Sequence, residues 1–439
     1  MTVFSFTILA APAANECGPG PVPTGEIPCN VAKVLHDKCQ SCHSATPRYG
    51  APMPLVTLAD LHAPAASDAS KKVWQLVDVR TNIGHISPMP PASQPDLDAT
   101  ERQVLENWLT QGALGVDNNP DCPPLDSLPI EPAGPQYLPC TPTHTIKAHQ
   151  SQSSNEYSVP AGTRDQYVCF AFANPFAAGE LATAWAPAID DERVIHHWIL
   201  YGMSSLPSGV SVGGHTSPSN PLPCYLATAN GTMLTGWAPG GRNSVMESDV
   251  GVNMQYPYYL LQVHYNNYGT GATNTTDSSG VSFCTNRNPS TGQITPKPNV
   301  AGVVTLGNSS FTIPAGASSY DVTGNCTNMS TDGSEITIIG TSPHMHKLGT
   351  RFRTRHARGG VDLGDLSNVT TWAFENQIPY PTLPRRVYRN GDTLTTTCTF
   401  RNPSGSAVSY GPGTDAEMCY DFILAYPYTK AKKKCGPTI

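Results

Sequence analysis

The stretch Ser342-Pro-His-Met-His-Lys-Leu-Gly349, "SPHMHKLG", follows directly on the apolar run "EITIIGT" of residues 335–341. A β-branched run of that length reads as a strand, and side chains alternate faces along a strand. His344 and His346 therefore project to one side and can share an ion. The same texture extends in both directions. From about residue 136 onward the chain is built of short runs such as "YVCFAF", "YYLLQVHY", "AGVVTLG", "DTLTTTCTF" and "MCYDFILAYP", rich in Val, Thr and Tyr and bounded by turn residues. About 300 residues of this kind exceed one sandwich, and "NNYGTGATNTTDSSG", residues 266–280, is the polar seam. The reading is two all-β antiparallel sandwich domains, residues 136–277 and 278–439.

Upstream the period changes. "VWQLVDVRTNI" and "ATERQVLENWLTQGAL" carry apolar residues at helical spacing, the second opened by an Asp98/Thr100 cap signal. Residues 28–115 therefore read as a small all-α domain, joined through a Pro- and Asp-rich linker, 116–135, to the β region. Within the α domain stands "KCQSCHSAT", Lys38 to Thr46. Cys39-Gln-Ser-Cys42-His43 is the C-x-x-C-H pattern of covalent c-type haem attachment, with thioethers from Cys39 and Cys42 and an iron ligand in His43. "SPMPP" offers Met89 as the second axial ligand, with Met53 and His85 as alternatives. This segment resembles a small class I cytochrome c.

Bulk properties limit the function. Charged residues are 13% of the 439 and the net charge is −7, which argues against a nucleic-acid or anionic-membrane partner. No apolar run reaches the length of a membrane span. Thirteen widely scattered cysteines point to an oxidising compartment, and residues 1–27 read as an N-terminal extension or the remnant of a secretion signal. Both features predict a secreted or periplasmic protein. Asn274 and Asn368 begin Asn-x-Ser/Thr triplets, which suit glycan acceptors and turns equally.

Further candidate ligands lie in "RVIHHW" (His196 and His197), "LQVHYNN" (His264) and "DAEMCYDF" (Met418). Adjacent histidines need a turn or a bulge to converge. Imidazole with thioether suits copper cycling between two oxidation states better than zinc or magnesium. The order His-His, "QVHY", His-x-His-x-x-Gly, "EMC" is similar to that of the copper type II monooxygenases, the family of peptidylglycine α-hydroxylating monooxygenase and dopamine β-monooxygenase.

That resemblance, running from about Tyr157 to Cys435, implies two jelly-roll-like β domains with one copper each. It implies an electron-storing copper on His196, His197 and His264, and an oxygen-activating copper on His344, His346 and Met418. Its substrate would be a small molecule hydroxylated with dioxygen, its electrons coming from an external reductant or redox protein; the c-type haem departs from that family, and its expected role on this chain is to pass electrons to the copper of His196, His197 and His264. It further implies disulfides Cys169–Cys224, Cys326–Cys435 and Cys398–Cys419, and more loosely Cys140–Cys284; Cys17, Cys29 and Cys122 are left unassigned. Ser342, Tyr420 and Phe422 stand where the peptide hydroxylase has its carboxylate-binding arginine, asparagine and tyrosine, which argues against a glycine-extended peptide substrate. Arg351, Arg353 and Arg355 alternate and read as a solvated face. The non-enzymatic alternative is a haem and copper electron-transfer or copper-binding protein.

Overall fold

The computed structural model describes residues 25–49, 51–82, 89–90, 96–117, 122, 133–150, 155–216, 224, 231–239, 241–268, 271–372, 374, 377, 379–411 and 415–437. Cys17, His85, residues 1–24 and most of the 116–135 linker lie outside them. Among the described residues before 117 there are four short helices, α1 (Cys29–Lys38), α2 (Leu58–His62), α3 (Val73–Thr81) and α4 (Ala99–Thr110). Their apolar faces meet in a core of Val31, Leu35, Leu61, Val73, Leu105 and Leu109. The cap of α4 forms as the sequence suggests. Asp98 accepts the N–H groups of Thr100 and Glu101, and Glu101 accepts that of Asp98.

The expectation of an all-α, cytochrome c-like domain over residues 28–115 is overturned. The described residues form mostly β-sheet, and this segment itself contains an antiparallel hairpin, Pro64–Ala65 with Asp68–Lys72. The reason is local. Pro64 cannot supply the N–H that would continue α2, and Asp68 accepts from both the N–H (3.1 Å) and the hydroxyl (2.6 Å) of Ser70. Such side-chain-to-backbone bonds favour a turn over a helix.

Among the described residues from His144 onward every named element is a strand. One four-stranded antiparallel sheet runs in the order Thr163–Ala173, Tyr258–Asn267, Ile195–Met203, Thr232–Trp237; another runs Tyr320–Cys326, Asp392–Phe400, Gly349–Arg358, Val361–Val369. Both lie against a single eleven-stranded sheet. The first packs on it through Val168, Phe170 and Leu261 against Ile146, Ala182 and Phe283. On the later half Leu394 meets Val304, Ile338, Tyr388 and Ile423. The pattern of Asp392–Phe400 shows how sequence makes such a strand: Leu394, Thr396, Cys398 and Phe400 point inward and the intervening threonines are half-exposed.

The two halves, expected as separate sandwiches, are thus joined edge to edge. Val250–Asn253 of the earlier half pairs in parallel with Asn299–Asn308 of the later one, Val250 opposite Asn299. Arg385 reinforces the seam. Its guanidinium binds Asp249 through two hydrogen bonds (2.7 and 2.9 Å), Glu247 at 2.7 Å and the Tyr426 hydroxyl at 2.8 Å, and the Arg385 bonds hold the Asp249 carboxyl down at about 2. Gly280–Thr285 pairs with Leu181–Ala188, so the chain crosses between halves after residue 285.

Candidate metal centres

His197 stands opposite His264 in the ladder between Ile195–Met203 and Tyr258–Asn267. The next pair is Tyr265 with Ile195, so His196 is the extra residue of a β-bulge. A bulge turns two consecutive side chains toward the same region. It is what lets adjacent histidines converge. The potential ligand atoms of His196, His197 and His264 all lie within 4.8 Å of one another, with the Nδ1 atoms of His196 and His197 3.2 Å apart. Tyr167, the cross-strand partner of His264, stacks on its ring at 4.2 Å and 5°.

This pocket keeps the imidazoles of His196 and His197 neutral. Burial, then the neighbouring His264, lowers the pKa of His196 to about 3. Burial likewise drives His197 well below its ordinary value, and His344 of the later half is among the groups that push it down. A neutral imidazole carries the lone pair that a metal takes.

The second set forms where Pro343–His344 pairs with Cys419–Tyr426, His344 opposite Tyr420. Met418 directly precedes that strand. The rings of His344 and His346 are 5.3 Å apart and perpendicular at 88°. Each Nδ1–H is engaged: that of His344 donates to Gln377 Oε1 (2.6 Å) and that of His346 to the Ala416 carbonyl (2.9 Å). The Gln377 amide is oriented by its own donation to Phe374 O at 2.8 Å. Nε2 of each ring is thereby left for a metal, the arrangement that outer hydrogen bonds impose on ligating histidines. Glu417, fully buried, accepts the N–H groups of His346 (2.9 Å) and Leu348 (2.6 Å) and so ties Met418 to the His-x-His turn. Its pKa rises to about 7 through burial.

Three imidazoles in one set, and two imidazoles with the thioether of half-buried Met418 in the other, fit copper in donor type. The positions of the missing carboxylate clamp hold neutral groups. Ser342 donates its N–H to Asp421 (3.1 Å), the Tyr420 hydroxyl bonds that of Tyr410 (2.7 Å), and the Phe422 ring lies 5.7 Å from that of His344.

In the N-terminal segment Cys39 and Cys42 are free thiols, whereas the other described cysteines pair as Cys29–Cys122, Cys140–Cys284, Cys169–Cys224, Cys326–Cys435 and Cys398–Cys419. Burial pushes the Cys39 thiol up to about 12, so it is not a thiolate nucleophile. His43 Nδ1–H donates to Met53 O at 2.8 Å, which leaves Nε2 for a ligand. Met53 presents its carbonyl in this contact. Met89 donates its N–H to Arg80 O at 2.8 Å. The segment rests on the earlier β half: Arg48 pairs with Glu192 at 2.9 Å, and the Tyr49 ring meets Trp237 at 5.8 Å.

Sequence reasoning passed over Asp165, Tyr167, Gln377 and Glu417. Glu417 alone carried a local signal, as the residue before the metal-competent methionine; the others reach the sites through cross-strand register or a loop.

Comparisons with known proteins give the family. The family model of the copper type II ascorbate-dependent monooxygenase N-terminal domain matches residues 151–271, and that of its C-terminal domain matches residues 299–438. The chain belongs to the copper type II ascorbate-dependent monooxygenase family. It is 27% identical over 263 residues to the human putative DBH-like monooxygenase protein 2, covering 56% of this chain and 50% of that protein. It is 26% identical to dog dopamine beta-hydroxylase, over 55% of this chain and 39% of the relative. With peptidyl-glycine alpha-amidating monooxygenase A of Xenopus laevis the identity is 25%, over 64% of this chain and 29% of the relative. The chain thus spans half or less of the length of these relatives. Neither matched domain reaches the C-x-x-C-H segment.

Proposed function

We propose that the protein is an exported copper monooxygenase that hydroxylates an activated C–H bond of a small organic substrate. One oxygen atom of dioxygen enters the substrate and the other leaves as water, which consumes two electrons and two protons. In this reading His196, His197 and His264 hold the electron-storing copper, and His344, His346 and Met418 hold the copper at which dioxygen and substrate meet. Copper, when bound, supplies one-electron redox chemistry and dioxygen activation.

The chain's own groups have separate tasks. The buried imidazoles of His196, His197 and His344 stay neutral and available as ligands. Met418 offers a soft sulfur, which favours the reduced ion. Ser342, Tyr420 and Phe422 present no charge to anchor a substrate carboxylate, so the substrate is bound by apolar and aromatic contact. The reductant is external, of the ascorbate type in the family's description. Five disulfides among the described residues suit an oxidising compartment, and no described helix is long and apolar enough to cross a membrane.

Cys39 and Cys42 attach a c-type haem in the same proposal, with His43 and Met89 as iron ligands, and the docked segment passes electrons to the first copper. Supporting this part are the two free thiols and the engaged Nδ1 of His43. The single observation that carries the enzyme reading is the convergence of His196, His197 and His264 within 4.8 Å in one half, together with the His344 and His346 rings 5.3 Å apart in the other.

The test is oxygen uptake under a reductant. Uptake should depend on an organic substrate and equal product formed, and Met418→Ala should abolish that coupling. Steady uptake that ignores every organic compound, or survives Met418→Ala unchanged, would sink the proposal. Metal analysis with an absorption spectrum separates its arms: copper without iron removes the haem and leaves the hydroxylase.

A further inference from the structure

A carboxylate beside the first metal set belongs to no motif. Asp165 Oδ1 stands 3.3 Å from Nε2 of His264; the aspartate side chain is 79% exposed while the imidazole is 1% exposed. A carboxylate can only accept here, so the Nε2–H of His264 donates and Nδ1 is the nitrogen left for the metal. That agrees with the approach of Nδ1 from both His196 and His197.

The backbone shows that this contact is held in place. Asp165 has φ +43°, in the left-handed region that few non-glycine residues adopt. It lies where Thr163–Ala173 slips register against Tyr258–Asn267. Its N–H donates to Oδ1 of buried Asn266 at 2.8 Å, which fixes the aspartate beside the histidine. The His264 hydrogen bond is the first cause of a lowered Asp165 pKa, with Lys347 and His196 adding to it. Lys347 follows His346, so the carboxylate feels the cationic side chain next to the opposite metal set.

We propose that Asp165 is a positioning residue for the first copper: it accepts the Nε2 proton of His264, turns Nδ1 to the metal and, through that ring, favours Cu(II) over Cu(I). This rests on the reading that His196, His197 and His264 hold copper. A carboxylate bonded to a ligating imidazole gives the ring partial negative character, which strengthens its bond most to the more highly charged ion. A purely structural residue would affect both oxidation states alike.

The experiment uses the full chain in a His344→Ala, His346→Ala background, so that only first-site copper reports. Copper content, Cu(II) and Cu(I) affinities and the midpoint potential are measured for Asp165 and for Asp165→Asn. Asparagine tolerates a positive φ, so the backbone is kept while the charge is removed; Asp165→Gly is the second variant. The expected result is a Cu(II) affinity about tenfold weaker, a Cu(I) affinity less affected, and a midpoint shifted positive in both variants. An unmoved potential, or equal loss of both affinities, overturns the role of Asp165 while leaving the copper site standing. No copper in the parent background overturns the proposal together with the ligand assignment beneath it.

Discussion

At the scale of single residues, hydrogen bonding beyond the ligands decides which nitrogen is offered to a metal. Gln377 fixes the His344 tautomer as Ala416 O fixes that of His346. Gln377→Leu should therefore weaken copper at the second set about tenfold and spare the first, as read by copper stoichiometry under chelator competition. Protonation follows from burial. His196 and His344 have pKa values lowered to about 3 by burial, against about 6.5 unfolded. Between those values the unfolded chain takes up protons that the folded chain refuses. Stability of the metal-free protein is thus complete above pH ~6.5 and falls as pH drops toward ~3, by ~1.4 kcal/mol per unit for each such group. Melting of the metal-free chain from pH 7 to 4 should show the decline, and bound copper should reduce it.

At the scale of elements, the bulge in Ile195–Met203 does what regular pleating cannot. Adjacent side chains on an even strand point to opposite faces, and the displaced His196 removes that conflict. The helices are ordinary by contrast. Asp98→Ala removes the acceptor of two N–H groups at the start of α4 and should cost about 1 kcal/mol, seen as a lower melting midpoint of the N-terminal segment with copper content unchanged. The face shared by His344 and His346 was legible because an alternation of two is a local property. The hairpin after α2 was not read, since Pro64 and the Asp68–Ser70 turn interrupt a composition that otherwise resembles helix.

At the scale of the whole molecule, one sheet crosses both halves and fixes how the two metal sets stand to each other. Parallel pairing of Val250–Asn253 with Asn299–Asn308 and the Arg385 clamp leave the seam little freedom to hinge. Arg385→Ala should lower the melting midpoint and broaden the distribution of copper-to-copper distances measured by pulsed EPR in the doubly oxidised protein. An unchanged distribution would mean that backbone pairing alone sets the spacing. The disulfides belong to this scale too: Cys29–Cys122 closes a span of 93 residues that no spacing rule identified.

The sequence by itself determined the donor types, the strand texture and the order of motifs, because composition and period are written locally. Tertiary structure alone decided that His196 and His197 converge, that Asp165 reaches His264, and that the halves share a sheet. Each of those depends on the register between segments distant along the chain, and register is set by packing and backbone pairing between them.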